Sequence, residues 1–165
     1  FQMTIDKDCT GCYACYAVCP QSCITMDIDN EGFWYPKVNY NKCIKCSSCI
    51  EVCPAKNNIS VANKPLAYAC INKNETIRLE SSSGGIFTLV AEHIIDNGGI
   101  VFGVGFDDDF NVIHSYVENK DGLDKFRGSK YVQSKIGETY RQAKDYLERG
   151  KEVLFTGTPC QISGL

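Results

Sequence analysis

An α+β chain in two parts is what this sequence predicts, and three observations predict it. Eight of the eleven cysteines fall into two near-identical runs within the first 54 of 165 residues. After Lys64-Pro65 that density collapses, and apolar segments alternate between strand and helix periodicity. The last of these pass from a helix to a strand and then to a glycine-containing turn, the α/β arrangement in which ligands sit at strand ends. The predicted division is a small cysteine-stapled domain over residues 1–63 and a truncated α/β domain over residues 64–165.

Composition narrows the classes. Residues 1–63 carry five Lys/Arg and six Asp/Glu, and residues 64–165 carry twelve and fourteen, so the net charge of −3 is spread evenly. Neither part has the basic footprint of a nucleic-acid binder. No apolar run approaches the ~20 residues that span a bilayer, and the cysteine motif begins almost at once, so no leader is expected. The expected location is cytoplasmic, where thiols stay reduced.

The two runs are Cys9, Cys12, Cys15, Cys19, Pro20 and Cys43, Cys46, Cys49, Cys53, Pro54, both C-x2-C-x2-C-x3-C-P. A disulfide scaffold explains the abundance of thiols but not this regularity. A zinc site takes two separated pairs or a mixture with histidine; here three cysteines follow at steps of three, and His93 and His114 are far along the chain. Steps of three let one tight loop offer three thiolates to an iron–sulfur cube. The same run occurs in bacterial ferredoxins, where its fourth cysteine ligates the other cluster. The ligand assignment follows. Cys9, Cys12, Cys15 and Cys53 hold one [4Fe–4S] cluster; Cys43, Cys46, Cys49 and Cys19 hold the second. Such crossing staples a domain too small to have much core. The first domain thus resembles a two-cluster ferredoxin along its whole length.

The elements of this domain follow in order. The fourth cysteine of each run is expected to open a short helix, with Pro20 and Pro54 in its first turn. Ile24, Met26 and Ile28 alternate with polar residues as a strand, Asn30-Glu31-Gly32 reads as a turn, and Phe33–Tyr40 as the returning strand. Phe33, Trp34 and Tyr35 are expected to shield the clusters. Cys23 has no ligand slot and reads as a buried apolar thiol.

In the second part, Leu66–Ile71, with Cys70, reads as a strand, Asn72–Asn74 as a turn and Ile77–Leu79 as another strand. SSSGGIFTLVAEHIIDNGG, residues 81–99, reads as a helix capped by Ser82 or Ser83 and ended by Gly98-Gly99, with Ile86, Leu89, Val90, His93 and Ile94 on its inner face. Its Ser-Gly-Gly start presents free N–H groups to an anion. Ile100–Phe106 and Asn111–Glu118 form strands around the solvated acidic tip Asp107–Asp109. Gly103 and Gly105 share one face, where something flat approaches or packing is relieved. FRGSKYVQS, residues 126–134, collects Arg127, Lys130, Tyr131 and Ser134, chemistry suited to phosphate or carboxylate. A helix follows with Ile136, Tyr140, Ala143 and Leu147 as its stripe and Gly150 at its end. A strand, Glu152–Phe155, then leads into the turn Gly157-Thr158-Pro159-Cys160. This strand needs more sheet and helix to cover it, so the sequence reads as part of a longer protein.

SSSGGIFTLVAEHI, FRGSKYVQS and LFTGTPCQISGL, in that order behind two cluster motifs, resemble the family made up of the beta subunits of coenzyme F420 hydrogenases and dehydrogenases. The resemblance implies a component of an iron–sulfur flavoprotein oxidoreductase. Electrons would pass between the [4Fe–4S] clusters and FAD, which exchanges hydride with a coenzyme F420-like or other soluble substrate. It makes Ser83, Gly84, Gly85, Lys130, Tyr131 and Ser134 candidates for the flavin and substrate region, and Cys160 a candidate ligand of a further cluster. The expected partner is a redox protein or a soluble hydride or electron donor. The competing reading is a ferredoxin-type relay and docking module without catalysis of its own.

Overall fold

The computed structural model describes residues 8–57 and 64–165. They form two compact units, one of residues 8–57 together with Gly157–Leu165, the other of residues 64–156. The predicted second domain thus gives up its last nine residues, 157–165, to the first unit. The overall class is α+β, with short helices and two separate sheets.

In the first unit, helix α1 (Ala14–Val18) lies inside the first cysteine run and α2 (Ser48–Glu51) inside the second. This corrects the sequence expectation. Cys19 closes α1 instead of opening a helix, and Pro20 stands in the turn behind it. Cys53 and Pro54 likewise follow α2. The reason is local: a proline has no N–H to donate, so it suits the exit of a helix as well as its first turn.

Strands β1 (Ile24–Ile28) and β2 (Trp34–Val38) pair antiparallel, with Ile24 opposite Val38 and Ile28 opposite Trp34. Asp29 closes the turn by accepting from the N–H groups of Glu31 and Phe33, both at 2.9 Å. The inward residues Cys23 and Ile24 pack with Cys15 in a small core. Of the three predicted shielding aromatics, Phe33 is exposed, whereas Trp34 packs against the buried Tyr13 with ring centres 6.0 Å apart.

The second unit is built on strand β3 (Ile100–Phe106), flanked by β4 (Val112–Val117) antiparallel and β5 (Val153–Phe155) parallel. The acidic tip is a closed turn: Asp107 accepts from the N–H groups of Asp109 and Asn111. Phe102, fully buried on β3, is surrounded by Tyr116, Tyr146 and Phe155, and stacks on the last at 5.3 Å.

Gly103 has a physical reason. A Cβ there would lie 2.6 Å from the ring of Phe126, so the flat group over this face is the protein's own side chain. Gly103→Ala is therefore expected to destabilise the unit by about 1–3 kcal/mol, read as a lower urea midpoint.

Several local expectations are corrected. Leu66–Ile71 joins no strand, and Leu66, Tyr68 and Ile71 are exposed. Ile77–Leu79 belongs to helix α3 (Glu75–Leu79), because the Asn74 side chain accepts from the Ile77 N–H and caps it, with Glu75 and Arg78 at the ends their charges favour. Helix α4 (Ile86–Asp96) starts at Gly85, whose φ of 73° turns the chain, and neither Ser82 nor Ser83 caps it. Its buried face is Phe87, Thr88, Ala91, Ile94 and Ile95, leaving Ile86, Leu89 and Val90 exposed. That is the predicted stripe moved on by one residue, a rotation of about 100°. His93 is accordingly exposed and pairs with Asn97. Helix α5 (Thr139–Glu148) buries Tyr140 and Ala143, while Leu147 is exposed and Ile136 is buried just ahead of the helix.

His114, on β4, is buried in a polar chain. Its Nε2–H donates to the Thr156 carbonyl at 3.0 Å, and Nδ1 accepts from the Ser134 hydroxyl at 2.9 Å. Burial holds its pKa below the usual 6.5, against the opposing bond to Thr156. The unfolded chain then binds the proton more readily than the folded one, so stability is lost as pH falls through about 6.5. The urea midpoint is expected to drop over that range, and to drop less in His114→Gln.

Candidate iron–sulfur centre

The two cysteine loops share one backbone conformation. In the first, Gly11 and Tyr13, on either side of Cys12, have φ of 62° and 65°; in the second, Lys45 and Ser47, on either side of Cys46, have 59° and 68°. A left-handed backbone costs a non-glycine residue roughly 1–2 kcal/mol. Three such residues are therefore an observation in need of a cause. Alternating backbone hands of this kind turn successive N–H groups inward and make concavities that hold anions, iron–sulfur clusters among them. The Lys45 N–H already points at the Cys43 sulfur, at 3.4 Å.

The thiols are electrostatic neighbours of one another, and Cys15 is reached by Cys49 as well as by Cys12 and Cys9. The first predicted set is Cys9, Cys12, Cys15 and Cys53. Burial raises the Cys9 thiol, and the negative charge of Cys53 adds to that. Burial raises Cys12, with Cys53, Cys160 and Cys9 adding to it. Cys15 is pushed up to about 12, by burial first and then by Cys12 and Cys9. In the second set, Cys19, Cys43, Cys46 and Cys49 line one recess. Burial raises Cys49, with Cys46, Cys43 and Cys19 contributing. Hydrogen bonding with Ser48 lowers exposed Cys46. Cys53 thus stands near Cys9 and Cys12, and Cys19 shares the recess of Cys43, Cys46 and Cys49.

None of the eleven cysteines is in a disulfide. Among the described residues, no three His, Cys, Asp or Glu side chains close on a single ion. The donors are all sulfur, come in fours, and in each loop have a backbone of alternating hand that turns N–H groups inward. They fit two four-iron clusters.

Cys23 is buried, as expected, but it is not remote from this chemistry. Its sulfur lies 3.4 Å from that of Cys19, and its N–H points at the same atom. Burial works to raise the Cys19 thiol, yet the hydrogen bonds from Cys23, Gln21 and Ile24 outweigh it and leave the thiol below its usual value.

The candidate flavin residues do not converge. Ser83 and Gly85 line an open recess of about 550 Å³ with Ser81, Ser82, Arg127 and Ser129. Here the Ser129 N–H donates to the Ser82 hydroxyl at 2.6 Å. The two motifs, 81–85 and 126–129, therefore meet. Arg127, however, is paired with Glu80 and bonded to Thr88. Gly84 answers to the backbone: a Cβ there would lie 2.3 Å from the Cys70 carbonyl oxygen. Lys130 is spent on the carbonyls of Lys125 and Arg127, Tyr131 is 94% exposed, and Ser134 is buried on His114. The six residues do not form one flavin cradle, and no chemical step is assigned to them.

Sequence reading missed two organising features. Asn72 is buried and bonds the carbonyls of Gly84 and Gly85 through its N–H and side-chain amide, which sets the Ser-Gly-Gly turn. Gly157–Leu165 is not a bare turn but leads into helix α6 (Pro159–Gly164), with a reciprocal cap between Thr158 and Gln161 and Pro159 in the first turn. The signal was present as Thr-x-x-Gln. Cys160, on α6, lies in the first unit, where its charge reaches Cys12.

Comparison with known proteins agrees with this centre. The 4Fe-4S dicluster domain matches residues 8–57. A component of the F(420)H(2) dehydrogenase of Methanosarcina mazei is 22% identical over 165 aligned positions, 93% of this chain and 46% of that protein. The chain spans less than half of that relative's length. A protein from the rpl9-rpl11 intergenic region of Porphyra purpurea is 33% identical over 66 residues, 37% of this chain and 84% of that protein. A component of the NADH-quinone oxidoreductase of Geobacter metallireducens is 39% identical over 51 residues, 28% of this chain and 39% of that protein. No helix among the described residues is long and apolar enough to cross a membrane. Residues 8–57 thus carry a 4Fe-4S dicluster domain, and along 93% of its length the chain is similar to the F(420)H(2) dehydrogenase component, in keeping with the family its motifs resemble.

Proposed function

We propose that this chain is the electron-relay part of an iron–sulfur oxidoreductase. Cys9, Cys12, Cys15 and Cys53 would hold one [4Fe–4S] cluster, and Cys43, Cys46, Cys49 and Cys19 the other. The clusters, when bound, supply reversible uptake of single electrons. The chain's own part is to fix eight thiolates, aim N–H groups at their sulfurs and exclude water from the first group. What supports this is that Cys53 lies near Cys9 and Cys19 near Cys49, together with the twice-repeated backbone conformation.

The finer reading rests on the three motifs behind the cluster domain and on the relation to the F(420)H(2) dehydrogenase component. In it, residues 64–165 are the first part of an α/β domain that, in a longer protein, binds FAD. The flavin exchanges hydride with a coenzyme F420-like or other soluble substrate, and a redox protein is the partner. Ser83 and Gly85, in the recess with Arg127 and Ser129, would be this chain's contribution to that site. Cys160 is kept as a candidate cluster ligand, and the location proposed is the cytoplasm.

Iron and acid-labile sulfide counts on anaerobically prepared protein, with a flavin assay alongside, test both levels. About eight iron per chain with a reducible spectrum is expected. Zinc, or cystine bridges at the eight positions, would end the reading. Clusters without flavin in the longer protein would leave the relay and dismiss the hydride exchange.

A further inference from the structure

The two cysteine runs are alike in spacing and backbone, yet unlike in cover. In the first, Tyr13 and Ala14 are each 2% exposed and Cys15 8%. In the second, Cys46 and Ile44 are exposed, and α2 has no buried residue. The sequences differ at matching positions: Gly11, Tyr13 and Ala14 against Lys45, Ser47 and Ser48. The small apolar residues stand where another segment comes close. That segment is α6. A Cβ on Gly164 would lie 3.1 Å from the Ala14 Cβ and 3.3 Å from the Cys12 sulfur, tighter than ordinary side-chain packing. Gln161 is 2% exposed, and its side chain accepts from the Thr158 N–H at 2.9 Å, which fixes the start of the helix.

We propose that α6 is a cap on the first cysteine loop, seated by Gly164 against Cys12 and Ala14, and that it shields the first cluster from solvent while the second stays open. The proposal rests on the two-cluster reading. A side chain on residue 164 would push against Ala14 and the Cys12 sulfur, so glycine suits this close approach of α6; in the second loop Ser48 is half-buried where Ala14 is 2% exposed. Gly164 is therefore a positioning residue. It acts through Cys12, and its effect is on access to one cluster and not to the other.

Timed release tests it. The full chain is prepared without oxygen and loaded, and its iron count establishes both clusters first; a count short of two clusters would defeat the underlying reading and not the cap. The iron chelator bathophenanthroline is then added under reducing conditions. Freed thiols are trapped with iodoacetamide at intervals and located by peptide mass mapping. Cys43, Cys46, Cys49 and Cys19 are expected to be alkylated first, and Cys9, Cys12, Cys15 and Cys53 at least about fivefold more slowly. In Gly164→Leu the slow group is expected to come within about twofold of the fast one, whose rate stays unchanged. Should that variant fail to fold, Thr158→Val, which loosens α6 without adding bulk at Cys12, must narrow the gap in the same direction. Equal rates in the unaltered chain, an earlier release of the first group, a gap untouched by the folded variant, or equal acceleration of both groups would each overturn the proposal.

Discussion

Cys12→Ala is expected to cut bound iron from about eight per chain to about four and to lower the thermal midpoint of the first unit. Cys12 stands between two left-handed residues, Gly11 and Tyr13, in a conformation that its own backbone does not favour. On the proposed assignment the cluster would hold that loop to Cys53, beyond the hairpin. Without the Cys12 ligand the loop loses its reason to stay closed, and a unit of this size has little core to fall back on. Iron and sulfide analysis, with near-ultraviolet circular dichroism on heating, checks both parts. Full iron content in the variant would show that Cys12 is not a ligand.

Phe102→Ala is expected to destabilise the second unit by about 3–5 kcal/mol, close to the whole stability of many domains. The side chain is fully buried on the central strand and meets Tyr116, Tyr146 and Phe155, so its removal leaves a cavity walled by large rings that cannot collapse easily. The backbone of Phe102 also accepts from the N–H and hydroxyl of Thr156, just past β5. Loosening β3 therefore loosens the end of β5 as well. A urea midpoint unchanged from the natural chain would contradict this packing.

What could be read from the sequence follows from how local each signal is. The cysteine runs, the hairpin of β1 and β2 and the pair β3–β4 were legible, because spacing, alternation and an Asp or Gly turn act within a few residues. The helices beside the cysteines were placed after the prolines and lie before them, since one proline serves either end of a helix. The stripe of α4 was off by one residue because the cap was sought at Ser82 or Ser83, and Gly85 took the role through its positive φ. The site of residues 126–134 was read as four converging side chains. The structure sends Ser134 inward to His114 and Tyr131 out to solvent, which depends on tertiary packing that no short window contains. For α6 the cue was in plain view, and only its destination was not.

Because α6 joins residues 8–57 although all of residues 64–156 intervene, synthesis on the ribosome leaves the first unit without that helix until the second has emerged. The thiols of the leading run must then wait, reduced and uncovered, while those residues are made. Iron and sulfide arriving in that interval would meet the loop before α6 could cover it.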